Sequence, residues 1–310
     1  MKAKCKTEKQ KMTRRRMDAN TMQVYSMCII PILLIFIFCY LPMFGIIIAF
    51  KDYNYALGIF GSEWVGFDNF KFFVTSNEFV KITWNTLSLN AMFIFADLVA
   101  ALAIAILLFE VKSKRKTKIF QTILITPHFL SYVIVAYVVY AILNTKSGYL
   151  NSILGMQIDW YSKPDAWPAI LTTTSVWKTM GMSSVIYYAA LMGVDNSLFE
   201  AADIDGANKW QKIRYIFIPS LVPIIVIQLI LKIGGIFRAD FGLFYQVTQN
   251  VGTLYSKTDV IDTYIFRALA ENGNVSMSSA VGLLQSLVGF VLVIFTNWVV
   301  KKIEPDNAMF

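Results

Sequence analysis

Six long, mostly apolar runs divide this chain, at residues 27–50, 86–109, 119–143, 166–191, 219–237 and 279–300. Each is near the length of about 20 residues that a helix needs to cross a bilayer core. Inside a bilayer every backbone N–H and C=O must find a partner within the protein, and a helix satisfies them locally. The chain is therefore expected to be an all-α integral membrane protein with six transmembrane helices. Composition agrees: 56% of the residues are hydrophobic and only 15% are charged, too few charges for a soluble domain of 310 residues. The fourth run is the least apolar, because Thr172, Thr173, Thr174, Ser175 and Lys178 interrupt it. Pro31, Pro42 and Gly45 are expected to kink or loosen the first.

Placement of Lys and Arg gives the orientation, since cytoplasmic loops carry the excess. The first 26 residues form a basic tail holding Lys2, Lys4, Lys6, Lys9, Lys11, Arg14, Arg15 and Arg16. Residues 110–118 add Lys112, Lys114, Arg115, Lys116 and Lys118; residues 193–218 add Lys209, Lys212 and Arg214. Lys301 and Lys302 stand in the tail 301–310. Six spans with both ends inside satisfy this bias. The net charge of +8 is then explained by topology and anionic lipid, and a nucleic-acid partner is not expected. Helix 27–50 follows basic residues, yet it exceeds the apolar core of a signal peptide, about 7–15 residues, and no A-x-A-like site follows. It reads as an uncleaved membrane helix, followed by an extracytoplasmic loop at 51–83 and a helical transmembrane domain at 84–300.

Several chemistries are disfavoured. His128 is the single histidine, so a His-based metal site or a Ser-His-Asp triad lacks its members. Cys5, Cys28 and Cys39 show no metal-binding or redox spacing. No G-x-x-x-x-G-K-[ST] occurs, so no nucleotide is expected on a P-loop of this chain.

Between the fourth and fifth runs lies a polar segment, 193–218. Ser197 and Glu200 have the spacing of a capping box, which predicts a helix starting near Leu198. Asp205 and Gly206 end it, with Gly206 taking the left-handed conformation. A second short helix is predicted over 208–217, and Pro219 fits the first turn of the next span. The expected product is a compact helix–turn–helix with small side chains, Ala201 and Ala202, open to close approach.

The sequence here reads Glu200-Ala201-Ala202, three residues, Gly206, nine residues, then Ile216-Phe217-Ile218-Pro219. It resembles the E-A-A-x3-G-x9-I-x-L-P coupling loop of ATP-binding-cassette (ABC) importer permeases, with Ile218 where the family usually has Leu. Trp64-Val65-Gly66-Phe67-Asp68-Asn69-Phe70 looks like the W-x-G-x-x-N-[FY] stretch of carbohydrate-importer permeases. Residues 203–210, with Asp205-Gly206-Ala207 and Trp210, are similar to the D-G-A-x-x-W/F continuation of that subgroup. Residues 259–264 and 279–297 resemble polysaccharide-uptake permeases of the LplB- and maltose-permease-like group. The resemblance covers nearly the whole chain. It implies a MetI-like five-helix core plus one N-terminal helix. It also implies a second permease subunit, two ATPase subunits that bind ATP and Mg, an extracytoplasmic binding protein or lipoprotein, and an oligosaccharide substrate. Glu200, Ala201, Ala202, Asp205, Gly206, Ile216 and Pro219 are then expected to couple the chain to the ATPase, in a multi-pass protein of the bacterial cytoplasmic membrane. No cofactor and no catalytic residue is expected in the chain itself.

Polar groups within spans are costly and by default mark a pathway. Asp97, Trp177, Lys178, Gln228 and Lys232 are the candidates. Gln228 and Lys232 share a helix face, as do Asn90 and Asp97. One reading has Trp177, Lys178 and Lys232 bordering a translocation path; the other has an Asp–Lys pair locking helices together, or lysines snorkelling to an interface. Permeation of another solute, such as glycerol phosphate or a peptide, is a rival. A secondary transporter or a membrane enzyme is a more distant one, the enzyme lacking any polar catalytic cluster.

Overall fold

The computed structural model describes residues 19–303 and residue 305; the basic tail, Cys5 and most of the C-terminal tail lie outside them. The described chain is almost entirely helical, with one two-stranded antiparallel ladder. It divides into two units, residues 1–47 and 48–310.

In the first unit, α1 (Ala19–Ile35) contains Pro31 and passes into a π-helical turn, Phe36–Tyr40, and then a 3-10 stretch, Leu41–Phe50. Together Tyr25–Phe50 are long and apolar enough to cross a membrane, and almost all their side chains are exposed. The departures from α geometry cluster around Pro42 and Gly45, where the ladder of i−4 bonds is weakest.

The second unit begins with a clasp. Strands β1 (Lys51–Asp52) and β2 (Glu63–Trp64) pair around the turn of α2 (Gly58–Gly61). Trp64 stacks on Phe50 at 5.8 Å, and Asn69 at the start of α3 (Asp68–Val74) donates to the Ala49 and Lys51 carbonyls. The W-x-G-x-x-N-F stretch is therefore a local staple, which accounts for its spacing without a ligand.

The long helices follow: α4 (Asn77–Glu110), α5 (Lys114–Ile125), α6 (Tyr132–Leu143), the short α7 (Tyr149–Leu154) and α8 (Trp167–Leu191). After them come α9 (Asn196–Ile204), α10 (Lys209–Lys212) and α11 (Ile218–Gly234). The chain closes with α12 (Tyr255–Thr258), α13 (Ile261–Ala270) and α14 (Val275–Ile303). Helices α4 and α8 pack side by side, and α11 packs on α14. One apolar core gathers Leu89, Val135, Val139, Trp167, Leu171 and Phe244; another gathers Ala101, Ala105, Tyr187, Leu191, Phe217 and Leu221.

Four described helices are long and apolar enough to span a membrane: Tyr25–Phe50, Glu78–Glu110, Lys209–Gly234 and Val275–Lys302. The expected single helix over 119–143 is corrected. It breaks at Thr126–Ser131, and its two halves, Lys114–Phe129 and Tyr132–Leu143, meet at 99°. Counted as one, they make a fifth span. Helix α8, with 25 residues, is long enough but less apolar, as its threonines foretell.

The break has an identifiable cause and a partner. Pro127 cannot donate to the ladder, so the preceding turn ends in a 3-10 segment and leaves carbonyls unpaired. The Lys178 ammonium from α8 fills the gap, donating to the carbonyls of His128 at 2.9 Å and Leu130 at 2.5 Å, with Pro127 at 3.4 Å. Gly181, one turn on, lets α8 approach so closely that a Cβ would lie 1.9 Å from the Leu124 carbonyl oxygen.

Candidate functional site

The coupling segment is built from short-range signals. Asp195, not Ser197, caps α9: its carboxylate accepts the Ser197 N–H at 2.9 Å, and Ser197 lies inside the helix. That bond holds the Asp195 carboxyl below its usual range. The shift from Ser197 arises because Asp195 places its carboxylate at the free N–H groups of the first turn, which favour a negative charge. At the other end Gly206 has φ +73°, and the Ala207 N–H reaches back to the Ala202 carbonyl at 2.9 Å while Gly206 N–H bonds Asp203. This paired closure satisfies the last carbonyls and turns the chain sharply.

Asn208 and Gln211 then form a reciprocal capping box that starts α10. The separate short helix expected over 208–217 is corrected. Lys209–Gly234 is one continuous helix, and Pro219 lies within it rather than in its first turn. The absent Pro219 N–H is accommodated by a π-helical turn over Ile213–Phe217, where the Ile218 N–H bonds the Ile213 carbonyl. The coupling segment thus joins the span rigidly, with Ile216 and Pro219 at the junction.

Three rings seat this knob on the membrane helices. Phe199 lies 5.2 Å from Phe109 of α4 and 5.1 Å from Phe217, and Phe109 meets Phe217 at 5.3 Å. Lys209 pairs with Glu110 at 2.8 Å, and Lys212 pairs with Asp203. These partners were not singled out in the sequence; their signal was the charge and aromatic placement at the ends of the runs. The opposite side of the knob is open. Glu200, Ala201, Asp205 and Gly206 are exposed, Ala202 is half-buried, and Ile204 and Trp210 are 87% and 79% exposed.

The intramembrane candidates separate into two groups. Asp97 of α4, 4% exposed, is saturated: Thr179 donates to one oxygen at 2.8 Å, and Ser183 at 2.9 Å and Lys232 reach the other. This cluster lines a cleft of about 260 Å³ with Phe93, Ile94, His128, Ser175 and Met182. Thr179 and Ser183, four apart on α8, were missed although their spacing puts them on one face. Lys178 is 7% exposed and engaged with the broken helix, Trp177 packs against the core around Trp167, and Gln228 is half-buried; none of the three lines that cleft. Asn90, seven residues before Asp97, donates to the Ile236 and Arg238 carbonyls beyond the end of α11. Helix α4 therefore grips α11 at two levels.

Residues 98–305 match the family model described as binding-protein-dependent transport system inner membrane component. Protein LplB of Bacillus subtilis (strain 168) is 36% identical over 284 residues, covering 90% of this chain and 89% of that one. The polygalacturonan/rhamnogalacturonan transport system permease protein YteP of the same organism is 34% identical, covering 87% and 85%. Among solved structures, a bacterial ABC transporter involved in the import of the acidic polysaccharide alginate superposes with a TM-score of 0.83 at 31% identity, over 92% of this chain and 97% of that one. A second, the bacterial alginate transporter in complex with an alginate pentasaccharide-bound periplasmic protein, gives 0.81 at 32%, over 92% and 96%. The chain belongs to the binding-protein-dependent inner membrane component family: it is a multi-pass inner-membrane permease subunit of an ABC importer, not itself catalytic, whose ATP is bound by partner ATPase subunits.

Proposed function

We propose that this permease translocates an oligosaccharide delivered by an extracytoplasmic binding protein. Six spans carry it: Tyr25–Phe50, α4, the broken pair α5–α6, α8, Lys209–Gly234 and α14, with both termini in the cytoplasm. A second permease subunit completes the path, and two ATPase subunits drive it. The observation that carries the reading is the coupling segment. Its motif residues Glu200, Ala201, Asp205 and Gly206 are displayed on an exposed knob, and its rear is bolted to α4 and α11 through Phe109, Phe199 and Phe217. A partner that moves this knob moves both helices, because no flexible joint separates Lys209 from Gly234. Alternation between outward- and inward-open states then follows from the ATPase's different contacts with the knob in each state.

Support for a sugar comes from relatives that handle polygalacturonan or alginate. Acidic oligosaccharides are accordingly the first substrates to test. The Asp97–Lys232 cleft, with Thr179 and Ser183, sits midway along α4 and α8 and supplies hydroxyl and charged groups to a path. Its ion pair also holds the helices in register. Reconstitution of the full complex in proteoliposomes, with oligogalacturonide and alginate pentasaccharide as probes, tests the reading. Uptake that needs ATP and the binding protein supports it. Uptake driven by an ion gradient after ATP depletion would overturn it.

A further inference from the structure

A second polar cleft, of about 380 Å³, lies between α6 and the segment 242–250, away from Asp97. Val133, Ala136, Tyr137, Tyr245, Gln246, Gln249 and Asn250 line it. Its size falls within the range of small-molecule sites, about 300–1,000 Å³. The lining offers two phenol rings and three carboxamides.

The cleft is held in shape by specific devices. The Tyr245 ring is clamped by Phe241, stacked at 4.9 Å, and by Phe266, edge-on at 5.0 Å. Gln249 and Asn250 both adopt positive φ, +54° and +49°, and neither is glycine. Two successive left-handed residues are strained, and such strain persists only where surrounding contacts enforce it. Here the Asn250 N–H bonds the Tyr245 carbonyl at 3.1 Å, and Tyr255 Oη donates to the Asn250 side-chain oxygen at 2.9 Å. The bond from Tyr255 leaves Asn250 Nδ2 to donate elsewhere. Tyr137 is 70% exposed, and the side chains of Tyr137, Gln246 and Gln249 have no hydrogen-bond partner among the described residues. Gln249 is exposed and Gln246 half-buried, so both carboxamides are open to a ligand entering the cleft.

We infer that the cleft of Tyr137, Tyr245, Gln246, Gln249 and Asn250 is an outer oligosaccharide subsite, where a sugar ring stacks on tyrosine and its hydroxyls bond the carboxamides. The subsite rests on the oligosaccharide reading above. On the topology proposed there, α6 runs up to the outer loop 144–166 and 242–250 lies beyond the outer end of α11, so the subsite receives the sugar before the Asp97–Lys232 cleft does. A ring face binds a pyranose's C–H side, and carboxamides donate to and accept from hydroxyls at once, which neither a phosphate nor an apolar solute requires.

The test uses the full transporter in proteoliposomes, with Cys5, Cys28 and Cys39 replaced by serine and Gln249→Cys introduced. A membrane-impermeant maleimide is added outside, with or without oligogalacturonide presented by the binding protein. Labelling without sugar, slowed roughly tenfold by occupancy at about ten times the half-saturating probe concentration, supports the subsite. In parallel, Tyr137→Ala should raise the half-saturating concentration for uptake roughly two- to tenfold, the loss of one stacking face. Uptake by the complex with unprotected labelling overturns the subsite alone. A Gln249→Cys that never labels also overturns it, since another chain then covers the cleft. Failure of the unsubstituted complex to take up any sugar overturns the oligosaccharide reading and the subsite with it.

Discussion

Single residues in this permease carry loads that hydropathy does not reveal. Lys178 sits in the fourth apolar run like a pathway cation, yet its ammonium serves the carbonyls released by the break at Pro127. Lys178→Met removes the donor while keeping the bulk. Each buried acceptor left unsatisfied costs about 1–3 kcal/mol, so the purified chain should melt at a clearly lower temperature. Lys178→Arg should lose much less; equal losses in the two variants would refute the capping role. The Asp97–Lys232 pair gives a second residue-scale prediction. Asp97→Asn strands the Lys232 charge and should destabilise by about 3–5 kcal/mol, toward the lower end because Lys232 is partly exposed. Adding Lys232→Met should restore most of the loss, measured as a double-mutant cycle of thermal stability. An additive outcome would mean the two groups do not interact.

At the scale of the element, the coupling segment was legible because its signals are local. A cap, a left-handed glycine and a capping box act within four or five residues, and Gly206 took the conformation its position called for. Two details were not legible for the same reason that local signals compete. Asp195 outbids Ser197 as the cap because it presents a full carboxylate two residues earlier. Pro219 was read as a helix start, whereas a π-helical turn just before it lets the helix run through. The break in the run 119–143 is not legible locally, because the residue that stabilises it, Lys178, lies fifty positions away in sequence. The Asp195 carboxyl is held below its usual range, so its capping contribution is fully present above the ordinary carboxylate pKa. It fades only as pH falls through the depressed folded value. Asp195→Asn should keep the cap and remove that acid sensitivity, read as ATPase coupling against pH; an unchanged acid limb would assign it to another group. Gly206→Ala places a Cβ at φ +73° and should cost about 1–2 kcal/mol locally. The expected readout is ATPase activity that binding protein no longer stimulates, with membrane insertion intact.

For the whole molecule, the proposed topology makes both ends cytoplasmic and puts 144–166 and 238–274 outside. The fold of 144–166 suits that position. Asn151, 4% exposed, ties the loop by donating to the Asn144, Thr145 and Ile158 carbonyls, and Trp160 Nε1 donates back to its side-chain oxygen. Such a self-sealed loop satisfies its own backbone and leaves an outer rim of exposed side chains, including Tyr149 and Ile153, toward solvent or a partner. The knob at 195–212 faces the opposite way along α4 and α11, because Phe199 and Lys209 engage residues 109 and 110 at the far end of α4 from Asn85, which bonds the 256–259 loop. Cysteines introduced one at a time at Ser147 and Lys209, in a chain without native cysteines, should therefore label from opposite sides of sealed vesicles. Ser147→Cys should react with an impermeant reagent from outside, and Lys209→Cys only after the membrane is opened. Labelling of both from one side would remove the even-span topology. With it would go the physical basis for coupling, since the knob could not then reach a cytoplasmic ATPase while the outer clefts face the incoming sugar.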